Sequence, residues 1–168
     1  DMLPAWFEAP FGDELHDGGT ERFTIDLPNG DQIAFHGYID RIDVATDGDE
    51  QAVQLFDYKT GSTPSMTTIT GGTTFQLPLY LLAAEQILDS DLTDFTDLAA
   101  TYYKTKPPND IYQPRGLESK FDSTADLRRF LTDVIPQRLQ TLRTALEQGR
   151  FHTTVLTADE ANCEYCDY

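Results

Sequence analysis

Three side chains stand out by type and spacing: Asp40, Asp57 and Lys59. Asp57 and Lys59 are two apart in Phe56-Asp57-Tyr58-Lys59-Thr60-Gly61. On a strand, residues two apart leave the same face, so a carboxylate and an ammonium stand side by side near the strand's end. Burying such a pair is costly without a task. Asp40 lies in a second extended segment, Gly37-Tyr38-Ile39-Asp40-Arg41-Ile42-Asp43. If a hairpin makes the two segments neighbours, the three side chains converge. Two carboxylates with nearby backbone carbonyls form an oxygen site suited to Mg²⁺ or Mn²⁺. The chemistry such an ion supplies is polarisation of a phosphoryl oxygen and activation of water. Lys59 is placed to orient that water or to offset negative charge growing on the phosphate. Taken alone, Asp-x-Lys is equally a surface ion pair at a strand end, so the flanking sequence has to decide.

The elements that must position these residues follow from periodicity. Residues 1–20 read as an irregular N-terminal arm, with Pro4, Pro10, Gly12, Gly18 and Gly19, whose Trp6, Phe7 and Phe11 could pack onto the domain. From Arg22 the pattern is two-fold. Phe23, Ile25 and Leu27 alternate with polar residues, Asn29-Gly30 marks a hairpin turn, and Ile33, Phe35, Gly37 and Ile39 carry a second strand to about Val44. After a turn at Thr46-Asp47-Gly48-Asp49, a third strand runs from Ala52 to Tyr58. These three make an antiparallel meander. A Gly/Ser/Thr loop spans Thr60 to Gly72, and a helix follows from about Thr74 to Leu88, with Thr73 or Thr74 as cap and Pro78 in its first turn. Asp89 to Asp97 is an acidic connection, Leu98 to Tyr103 a fourth strand, and Lys106-Pro-Pro-Asn109 a break. The longest helix is predicted from about Thr124 to Gln148. Its apolar stripe is Leu127, Phe130, Leu131, Val134, Ile135, Leu139, Leu142 and Leu146, with a kink at Pro136 and an end at Gly149. The order βββαβα predicts a mixed α/β (α+β) fold: a small sheet flanked by helices. The domain spans 21–150, and 151–168 is a C-terminal tail.

The chain has 168 residues and a formal net charge of −17. Taken alone, that charge argues against a nucleic-acid partner, because lysine and arginine displace the counterions around phosphate. The acid is scattered, however, and only four lysines stand against 29 acidic residues. Such a surface fits a halophilic origin, since molar salt screens repulsion within about 3 Å. Hydrophobic residues at 39% are enough to build a core. No apolar run approaches the roughly 20 residues of a membrane span, and the start, Asp1-Met-Leu-Pro-Ala-Trp-Phe7, does not read as a signal peptide. The expectation is a cytoplasmic protein without a membrane partner. The first residue is not Met, which fits a piece of a longer protein.

Gly37-x-Ile39-Asp40, then Asp57-Tyr58-Lys59, then Gln76-Leu-Pro-Leu-Tyr80 on a helix, closely resembles the PD-(D/E)XK nuclease superfamily, in particular the RecB/AddB-type nuclease domains of helicase–nucleases. The resemblance covers about Phe35 to Tyr103. It implies a restriction-endonuclease-like core, metal binding by Asp40 and Asp57, catalysis by Lys59 and assistance from Gln76 and Tyr80. At i, i+4 these last two share a helical face. It further implies DNA as substrate, a role in repair and recombination, and a helicase domain or subunit as partner. No P-loop occurs in this chain.

Two readings stand for Asp43: an ion pair with Arg41 or another basic neighbour, or a supporting role at the site. Arg41 is open between a structural role and a contact to DNA phosphate. The family branch also carries an upstream helix with a metal-binding His. His16 and His36 fit it poorly. In the tail, Cys163-Glu-Tyr-Cys166 resembles part of the 4Fe–4S motif of AddB-like nucleases. A cluster needs four thiolates and this chain has two cysteines, so a cluster is expected only in a full-length protein. Free thiols or half a zinc site are the other readings. The function expected is a metal-dependent DNA exonuclease domain of a helicase–nuclease. The alternatives are a stand-alone exonuclease of the CRISPR-adaptation kind, or a nuclease-like DNA-binding or scaffold module without catalysis.

Overall fold

The computed structural model describes residues 2–12, 22–47, 50–104 and 116–150. Six strands and four helices are described: β1 (Leu3–Phe11), β2 (Phe23–Asp26), β3 (Gln32–Phe35), β4 (Gly37–Asp47), β5 (Glu50–Lys59), α1 (Met66–Gly71), α2 (Gln76–Leu88), β6 (Asp97–Lys104), α3 (Thr124–Arg129) and α4 (Ile135–Glu147). The main sheet has the order β1-β4-β5-β6, and β2-β3 form a separate two-stranded sheet. β1, β4 and β5 are antiparallel neighbours, whereas β6 runs parallel to β5. A parallel pair needs a crossover, and α2 supplies it. Leu77, Leu81, Ala83 and Ala84 of α2 are buried in one core with Ile42, Val53, Leu55, Leu98 and Ala100 of the sheet. The mixed α/β architecture is the one expected.

The antiparallel trio differs in membership from the meander read in the sequence. Leu3–Phe11, inside the expected irregular arm, is the first strand of the main sheet. Pro4 and Pro10 hid it. Each removes a ladder donor, which an interior strand tolerates badly but an edge strand can spare, and β1 is an edge. The Asn29-Gly30 turn forms as expected, with Leu27 N–H bonded to the Asp31 carbonyl at 2.7 Å. Its second strand stops at Phe35, and a new strand starts at Gly37. The alternation of Ile33, Phe35, Gly37 and Ile39 runs through this break without a signal.

Phe11 explains where the break falls. Its ring lies 3.1 Å from where a Cβ on Gly37 would stand. It also packs edge-on to Phe23 at 5.6 Å and to Tyr80 at 6.0 Å between ring centroids. Edge strand, hairpin and α2 are thus tied together at one aromatic residue. Next to it, Gly12 has φ +69°, and a Cβ there would stand 2.0 Å from the Phe35 carbonyl oxygen. Both the backbone conformation and the contact exclude a side chain. Gly12→Ala is expected to cost at least ~2 kcal/mol of stability, read as a lowered denaturant midpoint.

The loop Thr60 to Gly72 contains α1, capped by Ser65 Oγ, which accepts the Thr68 N–H at 3.0 Å, and ended by Gly72 at φ 84°. The helix α2 begins after Phe75 without a side-chain cap, rather than at Thr73 or Thr74. The predicted long helix is divided. A π-helical turn, Phe130–Val134, separates α3 from α4. Pro136 stands in the first turn of α4. Having no N–H, it cannot continue the ladder of α3, and the widened turn absorbs the mismatch. Leu127, Phe130, Leu131, Ile135 and Leu139 face the core as expected, but Leu142 and Leu146 are 46% and 59% exposed. Arg128 donates to the Phe95 carbonyl and ties α3 to the turn before β6.

Candidate active site

β4 and β5 bring the two acidic segments together. Arg41 pairs with Phe56 in the last rung of their ladder. One step further the strands carry Asp40 and Asp57. There the Tyr58 N–H turns to a side chain and donates to Asp40 Oδ2 at 2.6 Å. Asp40 is thereby held against the backbone of the Asp57-Tyr58-Lys59 segment. Asp57 is 2% exposed. Its Oδ2 lies 2.6 Å from Lys59 Nζ, a close ion pair. From the helix side, Gln76 Nε2 donates to the Tyr80 hydroxyl at 2.9 Å, and that hydroxyl is turned toward Asp57. The five side chains singled out in the sequence therefore gather at one end of the sheet.

The electrostatics are those of a buried acid partly compensated. Burial pushes the Asp57 carboxyl above the ordinary aspartate range; Lys59 works against this, and the charge of Asp40 adds to it. Burial likewise raises the Tyr80 hydroxyl, with Gln76 opposing. One residue at this site carried no mark in the sequence. Tyr102 of β6 is in register with Asp57, and its ring centroid lies 5.4 Å from Lys59 Nζ. Burial, and then the charge of Asp57, raise its hydroxyl as well. The signal available was the Tyr102-Tyr103 pair ending a strand; only the parallel pairing of β6 to β5 gives it meaning.

Arg41 and Asp43 lie elsewhere. Arg41 Nε and Nη2 donate to Asp43 Oδ1 and Oδ2, both at 2.6 Å. The guanidinium packs over Phe56 at 5.0 Å and Phe7 at 6.0 Å. Asp43 is 4% exposed, and the pair holds Arg41 firmly charged. Phe56 and Asp57 are consecutive on β5, so this pair sits on the sheet face opposite Asp57. His36 is exposed between β3 and β4. His16, Cys163 and Cys166 lie outside the described residues.

The donor set fits a hard divalent ion of modest coordination demand. Asp40 and Asp57 present carboxylate oxygens from adjacent strands, with the Lys59 ammonium 2.6 Å from Asp57 Oδ2. Among the described residues no cluster of three or more His, Cys, Asp or Glu side chains forms. An ion held here takes much of its shell from solvent or substrate, as Mg²⁺ commonly does.

A family model for the PD-(D/E)XK nuclease superfamily matches residues 2–168. The chain belongs to that superfamily. This PD-(D/E)XK chain is also similar to three bacterial proteins, each named as a subunit of an ATP-dependent helicase/deoxyribonuclease. That of Carboxydothermus hydrogenoformans is 33% identical over 112 residues, covering 62% of this chain and 10% of the relative. That of Symbiobacterium thermophilum is 37% identical over 85 residues, covering 49% and 7%. That of Exiguobacterium sibiricum is 40% identical over 79 residues, covering 46% and 7%. The PD-(D/E)XK chain thus matches about a tenth or less of the length of these relatives. Among its described residues no helix is long and apolar enough to cross a membrane.

Proposed function

We propose that this PD-(D/E)XK domain hydrolyses phosphodiester bonds in DNA as the nuclease part of a helicase–nuclease acting in repair and recombination. The observation that supports it best is the convergence of Asp40, Asp57 and Lys59 at one strand end, inside a chain of a nuclease superfamily. The names of the helicase/deoxyribonuclease relatives support DNA as the substrate and a helicase as the partner.

Asp40 and Asp57 would hold the divalent ion, Mg²⁺ or Mn²⁺, which when bound supplies Lewis acidity toward a phosphoryl oxygen. The chain's own residues do the rest. Asp57 is kept dry by the α2 core, so its charge acts in a low dielectric. Lys59 keeps its ammonium beside that carboxylate and is 30% exposed at its side chain, so one side of it can reach a water or a non-bridging phosphate oxygen. There it orients the nucleophile or balances the charge of the pentacovalent phosphorus. Gln76 fixes the Tyr80 hydroxyl, and Tyr80 fixes Asp57.

The test is cleavage of linear single- and double-stranded DNA by the full natural polypeptide that carries this chain, at low and at molar salt. Activity with Mg²⁺ or Mn²⁺ that disappears with EDTA, and in Asp40→Ala, is the expected result. Cleavage that survives both would remove the proposal. The shortening of end-labelled strands from one end, as against internal cuts, distinguishes exonuclease from endonuclease action.

A further inference from the structure

Among the described residues, Tyr102 is a buried group at the site that the mechanism does not use. It is 3% exposed, and its hydroxyl has no hydrogen-bond partner among the described residues. Buried tyrosines ordinarily satisfy their hydroxyl. Phenylalanine would fill the same space without the desolvation penalty that an unpaired hydroxyl carries. The position is not arbitrary. Tyr102 stands in register with Asp57 on the neighbouring parallel strand, and the Lys59 ammonium rests over its ring at 5.4 Å, within cation–π range.

We propose that Tyr102 belongs to the nuclease site: its ring seats Lys59 beside Asp57, and its hydroxyl is held ready to donate to an oxygen of solvent or phosphate. This rests on the nuclease reading above and deepens it. Lys59 has a long, flexible stem, and a charged tip used for orientation has to be immobilised. Asp57 pulls the ammonium from one side and the Tyr102 ring supports it from another. Tyr102 is thus a positioning residue toward Lys59. The hydroxyl would gain its partner only when the site is loaded, an unpaired donor being tolerated in the free protein for the sake of the bound state.

Two variants in the full natural polypeptide separate these roles. Tyr102→Phe keeps the ring and loses the hydroxyl. It is expected to leave the thermal midpoint unchanged or raised while lowering kcat about tenfold, the effect of one hydrogen bond to a charged group, with KM for DNA little altered. Tyr102→Leu loses the ring as well and is expected to lower kcat further. In a double-mutant cycle with Lys59→Ala, the part of its loss beyond that of Tyr102→Phe should largely vanish, because only the ring acts through Lys59. Wild-type turnover in Tyr102→Phe, a midpoint that falls together with its activity, or additive losses in the cycle would each overturn the proposal. If Lys59→Ala itself cleaves like wild type, the nuclease reading has failed, and not this assignment alone.

Discussion

Lys59→Ala is expected to lower DNA cleavage by about 10²- to 10³-fold, the range for removal of one preorganised electrostatic donor, while Mn²⁺ binding persists. The split follows from the site's construction. Asp40 and Asp57 are the proposed metal ligands; Lys59 meets Asp57 at 2.6 Å but supplies no metal-binding atom. Its loss strips Asp57 of the cation that offsets burial, so the carboxyl rises further above its ordinary range and metal binding shifts to higher pH. Lys59→Arg is a poor rescue, since a planar fork does not replace a compact ammonium beside a strand end. Cleavage rates under single-turnover conditions, together with Mn²⁺ titration, read both halves. Loss of metal binding along with activity would make Lys59 structural rather than chemical.

The second large effect has opposite signs for activity and stability. Asp57→Asn is expected to abolish cleavage and yet raise the thermal midpoint of the metal-free domain by about 2–4 °C, on the order of 1 kcal/mol. Burial raises the Asp57 carboxyl above its ordinary value of 3.8 in the folded state. Between 3.8 and that raised value the folded state therefore binds more protons than the unfolded one. The slope of unfolding free energy with pH is then negative. Stability from this group falls as pH climbs through the window, and the cost is fully present above it. Asparagine has no charge to bury and flattens this part of the profile. A divalent ion reverses the sign, since it favours the ionised form, so wild type should gain more than Asp57→Asn from added Mn²⁺. An equal gain, or a lower midpoint for Asp57→Asn in EDTA, would show that Asp57 is a structural carboxylate.

Much of the site was legible because its signals are local. Asp57 and Lys59 share a strand face by spacing alone, Gln76 and Tyr80 share a helix face, and the structure bonds that second pair directly. The opposite orientation of Asp43 also follows from an odd spacing on a strand. What stayed hidden depends on pairings far apart in sequence. Nothing in Leu3–Phe11, with two prolines, announces an edge strand; β4 supplies the reason for it. The end of β3 before His36 is dictated by the Phe11 ring over Gly37, not by a local break. Tyr102 went unnoticed because its meaning comes from the parallel register of β6 on β5. The charge of −17 is similarly mute about the partner.

That Asp40 and Asp57 form one divalent-metal site is tested most directly by anomalous diffraction from crystals of the protein soaked in Mn²⁺. The expected result is a peak within coordination distance of both carboxylates, about 2.0–2.2 Å for a hard divalent ion, which disappears in Asp57→Ala. A Mn²⁺ peak bound elsewhere, with the space between Asp40 and Asp57 empty at saturating metal, would contradict it.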